Sequence, residues 1–539
     1  MKKVLLVVLI SGALCTGTTL SAEGLPSFVN WSYQDAYQRD NGCRNLISLN
    51  GWWRWQLAGK EVSPPETGWG YRKVPGYGIN FNVLEANGQI WKLKPEEKCS
   101  LCWVEREFTV PSEWSGKKVQ VIFESIEGDG EVWLDGQRCG YTWDGCVYAL
   151  ELKPPYRTSP YRLSVKSNGV VSNVWLKALP AGPVITDAYL STSVRKMTAT
   201  IRARGTGKPE NKLKVVITDY RQPDRIVRSA GPFSLQADGQ GWKLEQEFDW
   251  KDAKLWSLES PNLYNYYLEL SDRQGKVIDR IFPIRFGFRE VWIKDGSFML
   301  NHQRITITND IHSPLAIHPA RNMGRSYSPY TDEDTWRRII RRWKDLGVNC
   351  AEYRWGGNID DELLFRVADE EGFFITMSVR GLERNPVVRS IPAMAAYNYD
   401  VNAYLIFPRR HCPCVPFYYL SSLANAWDYA PFHLGEDFDT EKLFGKSNKE
   451  ERDLIEKLDP VRAPISGSYS GGGKTEPFHS SMNYIGIHVD LQSYENWPLR
   501  WSQHRNKPLL TYEMAVPPYI AEWYQRPSRG TQAHGVPGV

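Results

Sequence analysis

The sequence predicts a multidomain β plus α/β protein, with two β-sandwiches in series and then a barrel of alternating strands and helices. Three observations predict it. The chain has 539 residues, too many for one hydrophobic core. Residues 24–288 carry short stretches of period-two alternation separated by turn residues. From about Phe286 the grammar changes to apolar strands alternating with amphipathic helices, which implies a parallel sheet.

Residues 1–22 read as a secretory leader. Lys2 and Lys3 supply the positive region, residues 4–14 the apolar one, and Thr19-Leu20-Ser21-Ala22 small residues for cleavage after Ala22. The residues before Cys15 do not suit a lipid anchor. In residues 24–183, Trp103-Val-Glu-Arg-Glu-Phe-Thr-Val110 and Val119-Gln-Val-Ile-Phe-Glu124 alternate, and Glu131-Val-Trp-Leu-Asp-Gly136 runs into an Asp-Gly turn. Residues 161–166 and 173–177 continue a series that suits a jelly-roll β-sandwich. Residues 184–288 form a smaller set, with strands expected at 199–203, 213–218, 242–248 and 266–270. That size suits an immunoglobulin-like module.

Residues 289–539 carry the barrel pattern. Strands are expected at 304–308, 348–353, 373–379, 417–422, 463–468, 484–488 and 508–512, with helices at 332–346 and 360–371. The first helix opens with acids and ends with Arg and Lys, matching the helix macrodipole. Seven strands at this spacing suggest a (β/α)8-type TIM barrel. After Glu513 a helix is expected to start at 519–524, but residues 525–539 are polar and rich in Gly and Pro. The expectation is a barrel missing its last strand in a truncated reading, with strands seven and one left as edges.

Composition narrows the function. Aromatic residues make up 13% of the chain, with 22 Trp and 28 Tyr. Such rings stack on sugar rings and also fill all-β cores. A net charge of +4 with mixed signs argues against nucleic acid as a partner. Beyond the leader no segment is long and apolar enough to span a bilayer. The expected location is therefore secreted or periplasmic, with no membrane partner once the leader is removed. Of the nine cysteines one, Cys15, lies in the leader, and export permits disulfides. Cys99/Cys102, Cys139/Cys146 and Cys412/Cys414 are close enough to pair or to remain thiols. Zinc at Cys99 and Cys102 lacks two further ligands, so no metal and no cofactor are expected.

Specific motifs then carry a family resemblance. They include Leu49-Asn-Gly-Trp-Trp53, Val74-Pro-Gly76, Glu105-Arg-Glu-Phe108 after Trp103, and Val132-Trp-Leu-Asp-Gly136. Further along come Leu255-Trp-Ser257 with Pro261-Asn-Leu-Tyr264, Phe286-Gly-Phe-Arg-Glu290 and Phe298-Met-Leu-Asn301. In this order they resemble glycoside hydrolase family 2, the β-galactosidases, β-glucuronidases and β-mannosidases, over nearly the whole mature chain. The resemblance implies a β-sandwich, an immunoglobulin-like module and a barrel acting on a carbohydrate substrate.

The resemblance also implies the site. Lys507-Pro-Leu-Leu-Thr-Tyr-Glu513 ends an apolar run in a carboxylate, which matches the family nucleophile. At the C-terminal end of a barrel strand such a group faces the active site. The family places Asn-Glu after its fourth strand, the Glu being the acid/base. Here Asn425 matches the Asn, but Ala426 stands where Glu is expected, and alanine carries no proton. Asp428, two residues on, is the best alternative acid, with Glu436 behind it. Arg354 and Trp355 end the second strand and resemble a substrate-orienting site. His312 after the first strand, His488 at the end of the sixth and Trp427 are further candidates by position, each equally compatible with packing. Met377-Ser378 replaces an acidic pair common in the family's third strand. The expected function is a retaining glycosidase with Glu513 as nucleophile and a non-standard or missing acid/base. The alternative is a catalytically impaired carbohydrate-binding homologue.

Overall fold

The computed structural model describes residues 25–310 apart from 77–82, 86–89, 92–100, 144, 171, 207–208 and 240. Beyond these it describes 333–353, 361–379, 390–419, 447–462, 464–465, 479–482, 502 and 508–512.

The N-terminal module is a sandwich of two sheets. One has five strands in the order Gln38–Asp40, Asn45–Ser48, Val174–Leu179, Lys118–Phe123, Tyr148–Glu151. The other has eight, from Gln137–Thr142 at one edge through Gly130–Leu134, Tyr161–Ser167, Cys102–Phe108, Gly51–Leu57 and Gly70–Val74 to two short strands. Alternation drives the layering. In Lys118–Phe123 the residues Val119, Val121 and Phe123 are fully buried while their neighbours are half-exposed. Trp53, Val104, Leu163 and Leu176 meet these residues in one core. Asp135 and Gly136 take positive φ of 52° and 76°, which closes the hairpin between Gly130–Leu134 and Gln137–Thr142.

Glu105, buried on the face of Cys102–Phe108 that points away from the core residues Val104 and Phe108, is held by Arg54 at 3.0 Å, Arg162 at 2.5 Å and Ser164 at 2.8 Å. A buried carboxylate requires such saturation. Arg106, the next residue, is also buried, and its guanidinium donates to Leu49 O and Asn50 O. The matched motif residues around Leu49 and Glu105 are thus joined as packing elements.

The middle module repeats the two-sheet plan. Val184–Thr192, Lys196–Arg204, Gly241–Asp249 and Gln236–Asp238 form one sheet. Ile226–Ser234, Lys212–Asp219, Tyr264–Ser271 and Val277–Arg280 form the other, with Ile284–Phe286 added to Tyr264–Ser271. Met197, Ile201, Val215, Tyr266 and Leu268 fill the space between them.

The last third opens with a correction. The expected first barrel strand at 304–308 is not one strand. Gln303–Ile305 completes an antiparallel meander with Val291–Lys294 and Ser297–Leu300, and the first parallel strand is Asn309–Asp310. The reason is the tight turn at Asn301 and His302, both at positive φ, which folds Gln303–Ile305 back on Ser297–Leu300. Asn309–Asp310, Cys350–Tyr353, Phe374–Ser378, Tyr418–Tyr419 and Pro464–Ile465 then pair in parallel and in chain order. His479–Met482 pairs in parallel with Leu509–Tyr512, the run expected as the seventh strand. Residues 484–488 lie outside the described residues.

Helices fill the crossovers at Glu333–Asp345, Asp361–Glu371, Pro392–Ile406 and Ser447–Leu458. Trp336, Ile340 and Trp343 form the buried stripe of the first, and Trp343 stacks on Phe373 at 5.4 Å. Leu509–Tyr512 comes within 8 Å of Asn309–Asp310, measured between Cα atoms, without a described ladder between them. The last described strand therefore curls back towards the first.

Buried polar contacts lock the three parts together. Arg44 of the first module pairs with the fully buried Asp279 of the second at 2.6 Å. Arg285 of the second reaches Asp369 beneath the parallel sheet at 2.7 Å, and Trp256 Nε1 donates to Asp369 O at 2.8 Å. Ser172 of the first module meets Tyr404 of Pro392–Ile406 at 3.0 Å.

Candidate active site

Parallel strands present all their C-terminal ends on one edge, and in open or closed α/β sheets that edge carries the chemistry. Here Tyr353, Ser378 and Tyr419 are the last residues of three neighbouring strands, and Met482 and Tyr512 end their pair together as register partners. The sequence-derived candidates follow these ends in the chain. His312 comes two residues after Asp310, Arg354 and Trp355 come directly after Tyr353, and Glu513 comes directly after Tyr512. Asn425, Ala426, Trp427 and Asp428 follow Tyr419, and His488 follows Met482. All of these, with Glu436, Cys99 and residues 525–539, lie outside the described residues.

The described residues build the opposite side of the same strands. The segment Arg410–Val415 leads into the fourth strand without regular structure, so its backbone groups need side-chain partners. Arg462 donates to Arg410 O at 2.5 Å, Cys412 O at 2.9 Å and Val415 O at 2.7 Å. Arg289 donates to Pro413 O at 2.5 Å and also to Val415 O. Cys414 N donates to Asp369 Oδ1 at 2.8 Å. Asp459 anchors Arg462 at 2.9 Å and accepts from Tyr418 Oη at 2.8 Å and Tyr189 Oη at 3.0 Å. The lead-in to the fourth strand is thereby fixed from the stretch after the middle module, the second helix and the crossover between the fourth and fifth strands at once.

Electrostatics agree with a structural role for this cluster. Burial, reinforced by the neighbouring Arg462 cation, pushes Arg289 down to about 9. His411 is held well below its ordinary value by burial and by the Arg410 and Arg462 cations, so it is neutral. Its ring sits 3.2 Å from Tyr266 Oη. Burial and the Asp459 charge raise Tyr418 well above the phenol range. Asp369 and Asp459 are fully buried, paired to arginine, and precede their strands in the chain. Neither can donate a proton at the other edge. They brace the sheet. Sequence reasoning caught Arg289 only as part of the motif Phe286-Gly-Phe-Arg-Glu290, without its role, and missed the others. Asp459 and Arg462 left only an i,i+3 pair as a signal, and Asp369 left none.

A cleft of about 770 Å³ lies between the middle module and two of the helices, lined by Tyr220, Arg221, Lys254, Arg337, Arg341 and Glu370 among others. Of its acids, Glu370 and Glu371 are tied to Arg337 and Arg341, and Asp219 accepts from the backbone of Arg221 and Gln222. Cys43, Cys139, Cys412 and Cys414 are free thiols, so neither the 139/146 nor the 412/414 pair is bridged. Among the described residues no group of His, Cys, Asp or Glu is arranged to hold a metal ion.

Comparison with known proteins supplies the class. The profile described as Glycosyl hydrolases family 2 matches residues 184–289. A β-galactosidase of Oenococcus oeni is 26% identical over 404 residues, covering 65% of this chain and 37% of the relative. A putative β-glucuronidase of Formosa agariphila is 23% identical over 479 residues, covering 82% and 51%. Among solved structures, a β-glucuronidase of Bifidobacterium dentium complexed with coumarin-3-O-glucuronide superposes with a TM-score of 0.68 at 16% identity, covering 89% of this chain and 85% of that one. The Ruminococcus gnavus β-glucuronidase in complex with D-glucuronic acid gives 0.65 at 18% identity, covering 90% and 85%. This chain is a glycoside hydrolase family 2-like protein with a mostly β, multidomain fold. It spans between 22% and 51% of the length of the curated relatives it matches.

Proposed function

We propose that the protein is an exported, retaining β-glycosidase that hydrolyses O-glycosidic bonds of β-linked sugars, with Glu513 as nucleophile. The observation that carries the reading is the strand Leu509–Tyr512, which lies parallel to its neighbour, next to the first strand of the sheet, and runs directly into Glu513. The relatives named β-galactosidase and β-glucuronidase support the same chemistry. In this reading residues 289–539 form a TIM-type barrel and residues 1–22 direct export.

The reaction runs in two displacements. The Glu513 carboxylate attacks the anomeric carbon as the glycosidic C–O bond breaks. The departing oxygen takes a proton from Asp428 if that group reaches it, and otherwise leaves as an anion. Water then attacks the same carbon as the ester bond to Glu513 breaks, loses its proton to Asp428 or, where that group does not reach, to solvent, and the sugar leaves with its configuration retained. Asn425 and Arg354 hydrogen-bond the sugar, Trp355 and Trp427 stack on it, and His312 and His488 flank it.

Ala426 sharpens the test. General acid catalysis contributes about 10²–10⁴-fold. Without a standard acid, aryl glycosides with acidic phenols should turn over and alkyl glycosides scarcely at all. Ala426→Glu should narrow that gap, and azide should speed release of the glycosyl-enzyme in the parent protein. Turnover plotted against leaving-group pKa measures this. A flat plot in the parent protein shows that Asp428 or Glu436 already supplies the proton. No turnover on even the most activated glycoside contradicts the hydrolase reading and leaves a carbohydrate-binding homologue.

A further inference from the structure

The cleft of about 770 Å³ between the middle module and two helices has a braced frame and an unbalanced lining. Its middle-module wall is made of two segments. At the end of Lys212–Asp219, Asp219 Oδ1 accepts from Arg221 N at 2.9 Å and Gln222 N at 3.1 Å, which fixes the turn carrying Tyr220 and Arg221. In the second segment Lys254 N donates to Tyr264 Oη at 2.9 Å, and Asn262 Nδ2 donates to Leu255 O at 2.9 Å. The facing wall is helical. Arg337 and Arg341 lie about one turn apart on Glu333–Asp345 and meet Glu370 and Glu371 at the end of Asp361–Glu371. Tyr220 Oη donates to Glu370 Oε1, so the two walls are tied to each other at the cleft.

The lining holds four cations against three carboxylates, and the carboxylates are occupied. Glu370 takes Arg337 and Tyr220, Glu371 takes Arg337 and Arg341, and Asp219 caps its own turn. The cations are not. Arg221 and Lys254 are exposed and, among the described residues, are held through their backbone N–H groups alone. Arg341 commits Nε and Nη2 to Glu371, which leaves Nη1 without a described partner. The unmet capacity of the cleft is therefore donors and positive charge. Concave walls of low dielectric strengthen such a field, and junctions between modules are common places for small-molecule sites. We infer that the cleft binds a small polyanion, one carrying two or more carboxylate or phosphate groups, which bridges Arg221 and Lys254 of the middle module to Arg341 of the helix Glu333–Asp345. A guanidinium fork meets either group through paired N–H donors, and an ammonium meets it as a point charge. The site uses none of the residues of the proposed hydrolysis and needs no catalysis.

The test is equilibrium dialysis of the full chain against labelled citrate and labelled pyrophosphate, with ionic strength held constant by chloride. The parent protein should bind at least one of them saturably. Binding of citrate alone names carboxylate groups, binding of pyrophosphate alone names phosphate groups, and either supports the site. Arg221→Ala/Lys254→Ala should bind the same probe at least about tenfold more weakly. Both side chains are exposed, so this double variant should unfold at the parent temperature when no probe is present. Arg221→Lys/Lys254→Arg keeps both charges and should retain most of the binding. Arg341→Ala should weaken binding as well, and unchanged binding there overturns the bridge. Glu513→Gln should bind as the parent does. Loss of binding in Glu513→Gln would move the probe to the proposed active site and overturn this one. No saturable binding of either probe by the parent protein, or equal binding by the double alanine variant, also overturns it.

Discussion

At the scale of single residues, buried acids paired to arginine brace the parallel sheet. Asp459 braces: it is fully buried and satisfies Arg462, Tyr418 and Tyr189 together. Asp459→Ala leaves Arg462 buried and uncompensated, so stability should fall by about 3–5 kcal/mol. Urea unfolding measures it, and a loss below about 1 kcal/mol would remove Asp459 from the brace. His411 gives a pH signature. Its folded value lies well below the ordinary one because of burial and two arginines. In the unfolded chain it takes up a proton near pH ~6.5. The folded state does not follow, so stability declines as pH drops from ~6.5 towards the folded value. His411→Gln should flatten the difference in urea midpoint between pH 7 and pH 5, and an unchanged difference would assign the acid sensitivity to other groups. The thiols show the limit of residue-level reading. Cys412 and Cys414 are close in sequence, yet both are free, because chain proximity does not fix the geometry a disulfide needs.

At the scale of elements, the sequence was legible wherever a local period fixed the structure. The Asp135-Gly136 turn, the strand Lys118–Phe123 and the helix Glu333–Asp345 follow from alternation, turn chemistry and a one-sided apolar stripe. Residues 304–308 misled because the alternating stretch Arg-Ile-Thr-Ile-Thr looks alike in a meander and in a parallel strand, and only the turn at Asn301 and His302 decides. The helix Pro392–Ile406 was not anticipated. Its apolar residues are spread around it, with buried Asn398 and Asn402 among Val401, Leu405 and Ile406. The candidate site was legible only as strand-end positions. Its support was not, since pairs such as Asp187–Arg410 join residues 223 apart in the chain. For the first helix the expectation is concrete. Trp343→Ala removes a buried ring stacked on Phe373 and should cost about 3–5 kcal/mol. Thermal unfolding with a shift under one degree would mean that this face is not the packing surface described.

At the scale of the whole molecule, two sandwiches and a parallel α/β unit are joined by buried ion pairs rather than by flexible linkers. Arg44–Asp279 and Arg285–Asp369 run between units, with both carboxylates fully buried. Arg285 and Arg289 extend from the middle module and the stretch after it to hold Asp369 and the lead-in to the fourth strand, the strand that Asn425 and Ala426 follow in the chain. Sheet orientation therefore depends on the modules before it. The central claim is that such a scaffold presents Glu513 as a glycosidase nucleophile. Incubation with a 2-deoxy-2-fluoro-β-glycoside carrying an activated leaving group, followed by proteolysis and mass spectrometry, tests it most directly. The account predicts one added fluoroglycosyl group on the peptide containing Glu513, and none in Glu513→Gln. A label on another carboxylate, or on Glu513→Gln as readily as on the parent chain, would contradict it.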